Sequence, residues 1–194
     1  MLPGKLVVLR AIEMADRDRY HSWLNDPEIV HLLGSMRYPF SLAEEERLLQ
    51  ERFTRQSPDF VPLAIDTREG VHIGSVSLDH VSKENRNAAL GIFIGYKEYW
   101  GKGYGADAVR TLLAFAFSEM NLHRVYLHTY EYNERAIACY LKCGFVEEGR
   151  LRQHRYAQGR YWDEIIMGVL RDEFAGMKHE PTTEAGDESR RTRS

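Results

Sequence analysis

The chain has 194 residues, 43% hydrophobic and 28% charged, enough apolar material for one packed domain and too much for wholesale disorder. Twenty-six Lys and Arg stand against 29 Asp and Glu, a net charge of −3, so no global positive field argues for a nucleic-acid partner. No run approaches the ~20 apolar residues of a membrane helix, the first residues lack an apolar leader core, and Cys139 and Cys143 with no His/Cys cluster argue against a disulfide framework or a structural metal; a reducing cytoplasm is the expected compartment.

In chain order, residues 5–10 (KLVVLR) read as a strand. Residues 15–24 read as a helix with Tyr20, Trp23 and Leu24 on one face, stopped by Asn25-Asp26-Pro27. Ser41 with Glu44 three residues on is a capping box, opening a charged helix to about Phe53. Residues 60–66, 71–80 and 88–95 alternate as strands. A turn, Trp100-Gly101-Lys102-Gly103-Tyr104-Gly105-Ala106, leads into a helix. Val109, Leu112, Leu113, Ala116, Phe117 and Met120 form its buried stripe. Residues 123–130 read as a strand. Asn133 is an N-cap for a short helix to about Cys143, with Gly144 as its C′ glycine. Residues 145–151 and 161–170 read as the last strands. From 175 onward periodicity is lost, and four basic residues balance four acidic ones. The expectation is a domain over 1–174 and a polar, disordered tail over 175–194.

The glycine turn carries the chemistry. Main-chain N–H groups at a helix N-terminus lack partners and the helix dipole adds positive charge there, so the place suits a phosphate. Glycines at 101, 103 and 105 let the backbone wrap an anion closely, and Lys102 adds a cation. A tight strand-to-helix connection without a ligand is the bland alternative. A Walker loop is absent. A dinucleotide fingerprint is matched by Gly101, Gly103 and Ala106, with Glu131 ending the next strand, but too little chain follows for a doubly wound sheet.

Two motifs together resemble the GNAT superfamily of acetyl-CoA-dependent N-acetyltransferases. Gly103-Tyr104-Gly105 resembles the end of motif A, with Trp100 where Arg or Gln is usual. Asn133, Ala136, Tyr140 and Gly144-Phe145 resemble motif B and its following turn. The likeness spans residues 5–174 and is nearest to the ribosomal-protein N-terminal (Rim-like) type, then to spermidine acetyltransferases. It implies an α/β (α+β) fold: a mixed, mostly antiparallel, seven-stranded sheet with splayed central strands and about four helices.

The resemblance implies acetyl-CoA as cosubstrate and a primary amine as acceptor, with direct transfer in a ternary complex and no metal. It gives the main chain of Phe93 and Ile94 to the pantetheine arm, the turn Gly101, Lys102, Gly103, Tyr104, Gly105 and Ala106 to the pyrophosphate, and Asn133 to the arm near the splay. Asn133 is explained equally by capping. Tyr140 is the expected acid for the departing thiolate: a phenol of pKa about 10 can protonate a thiolate whose acid has pKa about 8.5. An ordinary core tyrosine is its alternative. An N–H near Ile94 is the expected oxyanion donor.

The glutamate common before Leu-Gly in the splayed strand is Ala89 here, which leaves Asp79, His80, His128 and Glu131 as candidate bases. The cysteines are expected to pack in the core, without covalent catalysis. The implied acceptor pocket lies between residues 31–40 and 154–162. Arg37, Tyr38, Arg155, Tyr156, Arg160, Tyr161 and Trp162 make it aromatic and basic. A peptide terminus, a polyamine and another small amine all stay open, and a homodimer is compatible. The rival functions are a non-catalytic acyl-CoA-binding module and an NAD-type oxidoreductase.

Overall fold

The computed structural model describes residues 1–34, 39, 41–53 and 57–177. Arg37 and Tyr38, and the expected tail beyond 177, lie outside them.

Among the described residues one sheet holds eight strands: β1 (Leu2–Pro3), β2 (Val7–Arg10), β3 (Val61–Thr67), β4 (His72–Ser82), β5 (Asn87–Ile94), β6 (Arg124–Tyr130), β7 (Val146–Ala157) and β8 (Arg160–Leu170). Their order is β1-β2-β3-β4-β5-β6-β8-β7. Every neighbouring pair is antiparallel except β5 and β6. A parallel pair needs a crossover, and α4 (Tyr104–Ser118) is that crossover.

Six α-helices are described. Besides α4 they are α1 (Arg17–Leu24), α2 (Pro27–Leu33), α3 (Leu42–Leu48), α5 (Glu134–Lys142) and α6 (Arg171–Met177). The expected seven strands and four helices missed β1, α2 and α6. The Asn25-Asp26-Pro27 stop is real, but it also starts α2. Asp26 accepts from the N–H groups of Glu28 and Ile29, and Pro27 occupies the first turn, where no N–H is needed.

Two cores sandwich the sheet. On one face Val109, Leu112, Leu113 and Ala116 of α4, all fully buried, meet Val76, Leu78, Val125 and Leu127. Each buried Val or Leu among them contributes about 1.5–3 kcal/mol. On the other face Tyr20, Leu24 and Leu49 cover Ala64 and Phe93. The buried Asp107 carboxylate in the first turn of α4 accepts from Leu6 N–H at 2.7 Å and Val7 N–H at 3.1 Å, joining the helix to β2. β7 and β8 form a hairpin whose two turn residues, Gln158 and Gly159, both have positive φ (52° and 79°), matching the strand twist.

The parallel pairing is short. Asn87, Ala88 and Ala89 face Arg124, Val125 and Tyr126, and there the contact stops. β5 runs on to Ile94 and β6 to Tyr130, so the two strands diverge and open the sheet at its middle.

Candidate active site

A cavity of about 430 Å³ occupies this splay. Leu90 to Ile94 of β5 line one wall and His128, Thr129 and Tyr130 of β6 the other. Gly101, Gly103, Gly105 and Ala106 close one end, and Asn133, Cys139 and Tyr140 of α5 with Ile29, Leu32 and Leu33 of α2 complete it.

The register decides which main-chain groups face the opening. Gly95 N–H donates to Ile73 C=O at 2.8 Å, in the same register as Phe93↔Ser75 and Gly91↔Ser77. Antiparallel bonding alternates, so Phe93 spends its N–H and C=O on β4, while Leu90, Ile92 and Ile94 turn theirs to the splay. The expected pair of Phe93 and Ile94 is therefore corrected to Ile92 and Ile94. The Phe93 ring packs against Tyr20 and Trp23. The Ile94 carbonyl is already bonded by the Trp100 indole N–H at 2.7 Å, leaving the Ile94 N–H turned to the splay. The Trp100 ring carries the Arg135 guanidinium 3.7 Å from its centroid. Burial lowers the Arg135 pKa. No sequence signal pointed to this stack.

The glycine turn presents α4 end-on to the cavity. Gly101 and Gly103 have positive φ (72° and 89°), which other residues adopt at a cost. Gly103 is the N-cap without a side-chain cap, and the first helical bond runs from Asp107 N–H to Gly103 C=O. The N–H groups before it lack helical partners. A Cβ on Gly105 would meet only Cys139 Sγ and Ile94 Cγ1, each at 3.9 Å, so protein packing does not demand glycine there. Open glycine positions beside unpartnered N–H groups fit a pyrophosphate. Lys102 is exposed on the turn, outside the cavity lining, and Tyr104 packs on Tyr99 with centroids 5.1 Å apart. Asn133 caps α5 by accepting from Ala136 N–H at 3.3 Å, and it also lines the cavity.

Tyr140 is 8% exposed, and that exposure faces the cavity. Burial pushes its phenol well above the ordinary tyrosine range, so it stays protonated at neutral pH. Cys143 is fully buried, as expected, but Cys139 lines the cavity. The contact with Cys143 lowers the Cys139 thiol and, with burial, raises that of Cys143.

The four candidate bases separate clearly. Glu131 is engaged with Arg150 at 3.2 Å and with Asp163 N–H at 3.0 Å. His80 is exposed with φ of 52°. Asp79 stands opposite Ala89 in the register, accepts from Ser77 Oγ at 2.8 Å, and lies 3.6 Å from where a Gly91 Cβ would be. Of the four, His128 alone lines the cavity. Its Nδ1 is 3.2 Å from Glu164 Oε1, and His154 Nε2 is 3.2 Å from Glu164 Oε2. Glu164, only 9% exposed, was not anticipated, because it reaches His128 only through the β6–β8 pairing.

A family model described as an acetyltransferase (GNAT) domain matches residues 7–146, and the chain belongs to that family. It is an acetyl-CoA-dependent N-acetyltransferase, a class whose mixed α/β sheet and splay are those described above. The spermidine N(1)-acetyltransferase of Vibrio cholerae serotype O1 is 29% identical over 168 residues, 87% of this chain and 95% of that protein. The putative ribosomal N-acetyltransferase YdaF of Bacillus subtilis (strain 168) is 36% identical over 110 residues, 57% of this chain and 60% of that protein. A crystal structure of spermidine N-acetyltransferase from Vibrio cholerae in complex with CoA and spermine aligns with a TM-score of 0.81 at 29% identity, covering 89% of this chain and 99% of that one. The sheet holds one parallel pair where a dinucleotide fold needs several, which removes the oxidoreductase. No described helix is long and apolar enough to cross a membrane.

Proposed function

We propose that this enzyme acetylates a primary amine by direct transfer, with His128 as the base and Tyr140 as the acid. The observation carrying this is that both side chains line one cavity, His128 from β6 and Tyr140 from α5. The cosubstrate supplies a thioester-activated acetyl group. Ile92 offers main-chain groups to an extended arm, and the start of α4 offers its N–H groups to a diphosphate.

Glu164 accepts hydrogen bonds only, so it orders the neutral His128 with its proton on Nδ1 and its lone pair on Nε2. The imidazole takes a proton from the attacking amine as the N–C bond forms. The C–S bond breaks, and the Tyr140 hydroxyl gives its proton to the departing sulfur. The Ile94 N–H is the donor placed for the carbonyl oxygen. The acceptor comes from the polyamines, protein N-termini or other small amines, and relatives bearing both polyamine and ribosomal names support that range.

The test is CoA release from acetyl-CoA across spermidine, N-terminal peptides and amino sugars, with acetylated product identified by mass. Release with at least one amine, and no acetyl-enzyme trapped without amine, is the expected result. Absence of release with every amine overturns the reading.

A further inference from the structure

From the charge pattern of the acceptor side we infer that the amine substrate carries an acidic group several bonds from its nitrogen, and that Arg155 binds it. This rests on the proposed acetylation of an amine at His128.

The sheet face bearing His128 is polarised. At the splay its carboxylates are Glu164, held between His128 and His154, and Asp79 beside Gly91. Each lies beside a cavity residue, Glu164 beside His128 and Asp79 beside Gly91. Two strands away the charge reverses. Arg155 pairs with Trp162 in the register and therefore shares the face of Trp162 and Glu164. Its guanidinium lies 5.4 Å from the ring centroid of Tyr130, a cavity residue, it is hydrogen-bonded to the Tyr132 side chain, and its buried Nε has no partner among the described residues. Arg160 stacks at 3.3 Å on the Trp162 ring. Neither arginine forms an ion pair with a described carboxylate.

The other face of the same hairpin shows the contrast. Arg150 is opposite Ile165 and turns to the side of Asp163, where it meets Glu131, Asp163 and Glu147 within 3.4 Å. Hairpin arginines are thus neutralised on one face and left with aromatic partners alone on the face that meets the cleft. A partly buried guanidinium with a planar fork is matched by a carboxylate. Tyr130, Tyr132 and Trp162 form a continuous aromatic floor between the two ends, with centroid spacings of 5.4 and 5.1 Å.

The register sets the length. The guanidinium lies over Tyr130, which is two residues from His128 on the same face of β6, about 7 Å between Cα atoms. An α-carboxylate is too near the nitrogen to span this. A peptide N-terminus with an acidic second or third residue, or an ω-amino acid, carries its anion at the needed distance. A polyamine would place a second ammonium against Arg155.

The experiment compares kcat/KM for matched N-terminal peptides with Glu, Gln or Lys at the second and third positions, an ω-amino acid, and spermidine. It uses the full chain and Arg155→Glu, with acetyl-CoA stabilisation of both checked by thermal shift. The expected order is Glu over Gln over Lys, with a span of about tenfold or more, and spermidine among the poorest. The ω-amino acid against the Glu peptide tells which molecule supplies the anion. Arg155→Glu is expected to invert the order through KM, and Arg155→Lys to keep it in weakened form. A preference for spermidine or Lys peptides, or an order unchanged in Arg155→Glu that still binds acetyl-CoA, overturns the inference and leaves amine acetylation standing. Absence of turnover with every amine overturns both.

Discussion

The indole N–H of Trp100 donates to the main-chain carbonyl of Ile94 at 2.7 Å, tying the glycine turn to the end of the splayed strand. The bond holds β5 and the N-terminus of α4 at one spacing. Trp100→Phe keeps the ring under Arg135 and removes the donor. Loss of one such bond is worth about 1 kcal/mol. The expected result is a Kd for acetyl-CoA raised about fivefold by calorimetry, with kcat little changed. An unchanged Kd would show that the turn holds its place without this bond.

Gly105 separates ligand from packing. Ala there meets nothing closer than 3.9 Å in the protein and improves the helix by about 1 kcal/mol. Its methyl group, however, projects between Ile94 and Cys139 into the cavity. Gly105→Ala is expected to unfold at slightly higher temperature while binding acetyl-CoA about tenfold more weakly. Undiminished binding would mean that the diphosphate does not approach this N–H.

Tyr140→Phe should lower kcat about 100-fold and leave the acetyl-CoA Kd within about twofold. Because burial raises the phenol above its usual range, the hydroxyl keeps its proton on both sides of neutrality. The deficit should accordingly be equal at pH 6 and pH 8.5. A deficit that vanishes at one end would assign the protonation elsewhere. His128→Gln should cost a similar factor, and Glu164→Gln about tenfold, since Glu164 orients the base without touching substrate. A full rate in His128→Gln would exclude it as the base.

Glu45 on α3 is fully buried with no hydrogen-bond partner for either oxygen among the described residues, and desolvation pushes its carboxyl up to about 7. The folded protein therefore holds a proton there that the unfolded chain releases near pH 4.5. Stability from this group is whole below that pH, falls as pH rises through about 7, and then levels off. The span corresponds to about 3 kcal/mol. Glu45→Gln should remove the fall: chemical denaturation at pH 5 and pH 8 should differ less in the variant than in the parent. Equal differences would show that Glu45 ionises freely.

Strand and helix periods made most of the fold legible. The stripe from Val109 to Phe117 is buried, and the alternation in β4 and β5 buries Val76, Leu78 and Leu90, while Ile92 and Ile94 are half-buried at the cavity and His80 is exposed. α2 was hidden because Asn25-Asp26-Pro27 both ends one helix and caps the next, and a seven-residue helix shows too few turns to reveal its period. In the site, Gly103, Gly105, Asn133 and Tyr140 were legible because the backbone needs of a helix N-terminus and the spacing of motif B are local. Ile92 was not, since bonding direction along β5 depends on its pairing with β4.

The sequence by itself determined the glycine turn and the helix carrying Tyr140, because each depends on residues within a few positions of one another, and the two motifs together carried the resemblance that implied the class of reaction. Only the tertiary structure decided the rest. Parallel pairing that ends at Ala89 and Tyr126 opens the sheet, and antiparallel pairing of β6 with β8 sets Glu164 against His128. The pairing of β7 with β8 puts Arg155 and Arg150 on opposite faces of one hairpin, one left to aromatic rings and one neutralised. These contacts join residues tens of positions apart, and strand register, which no local pattern encodes, is what brings them together.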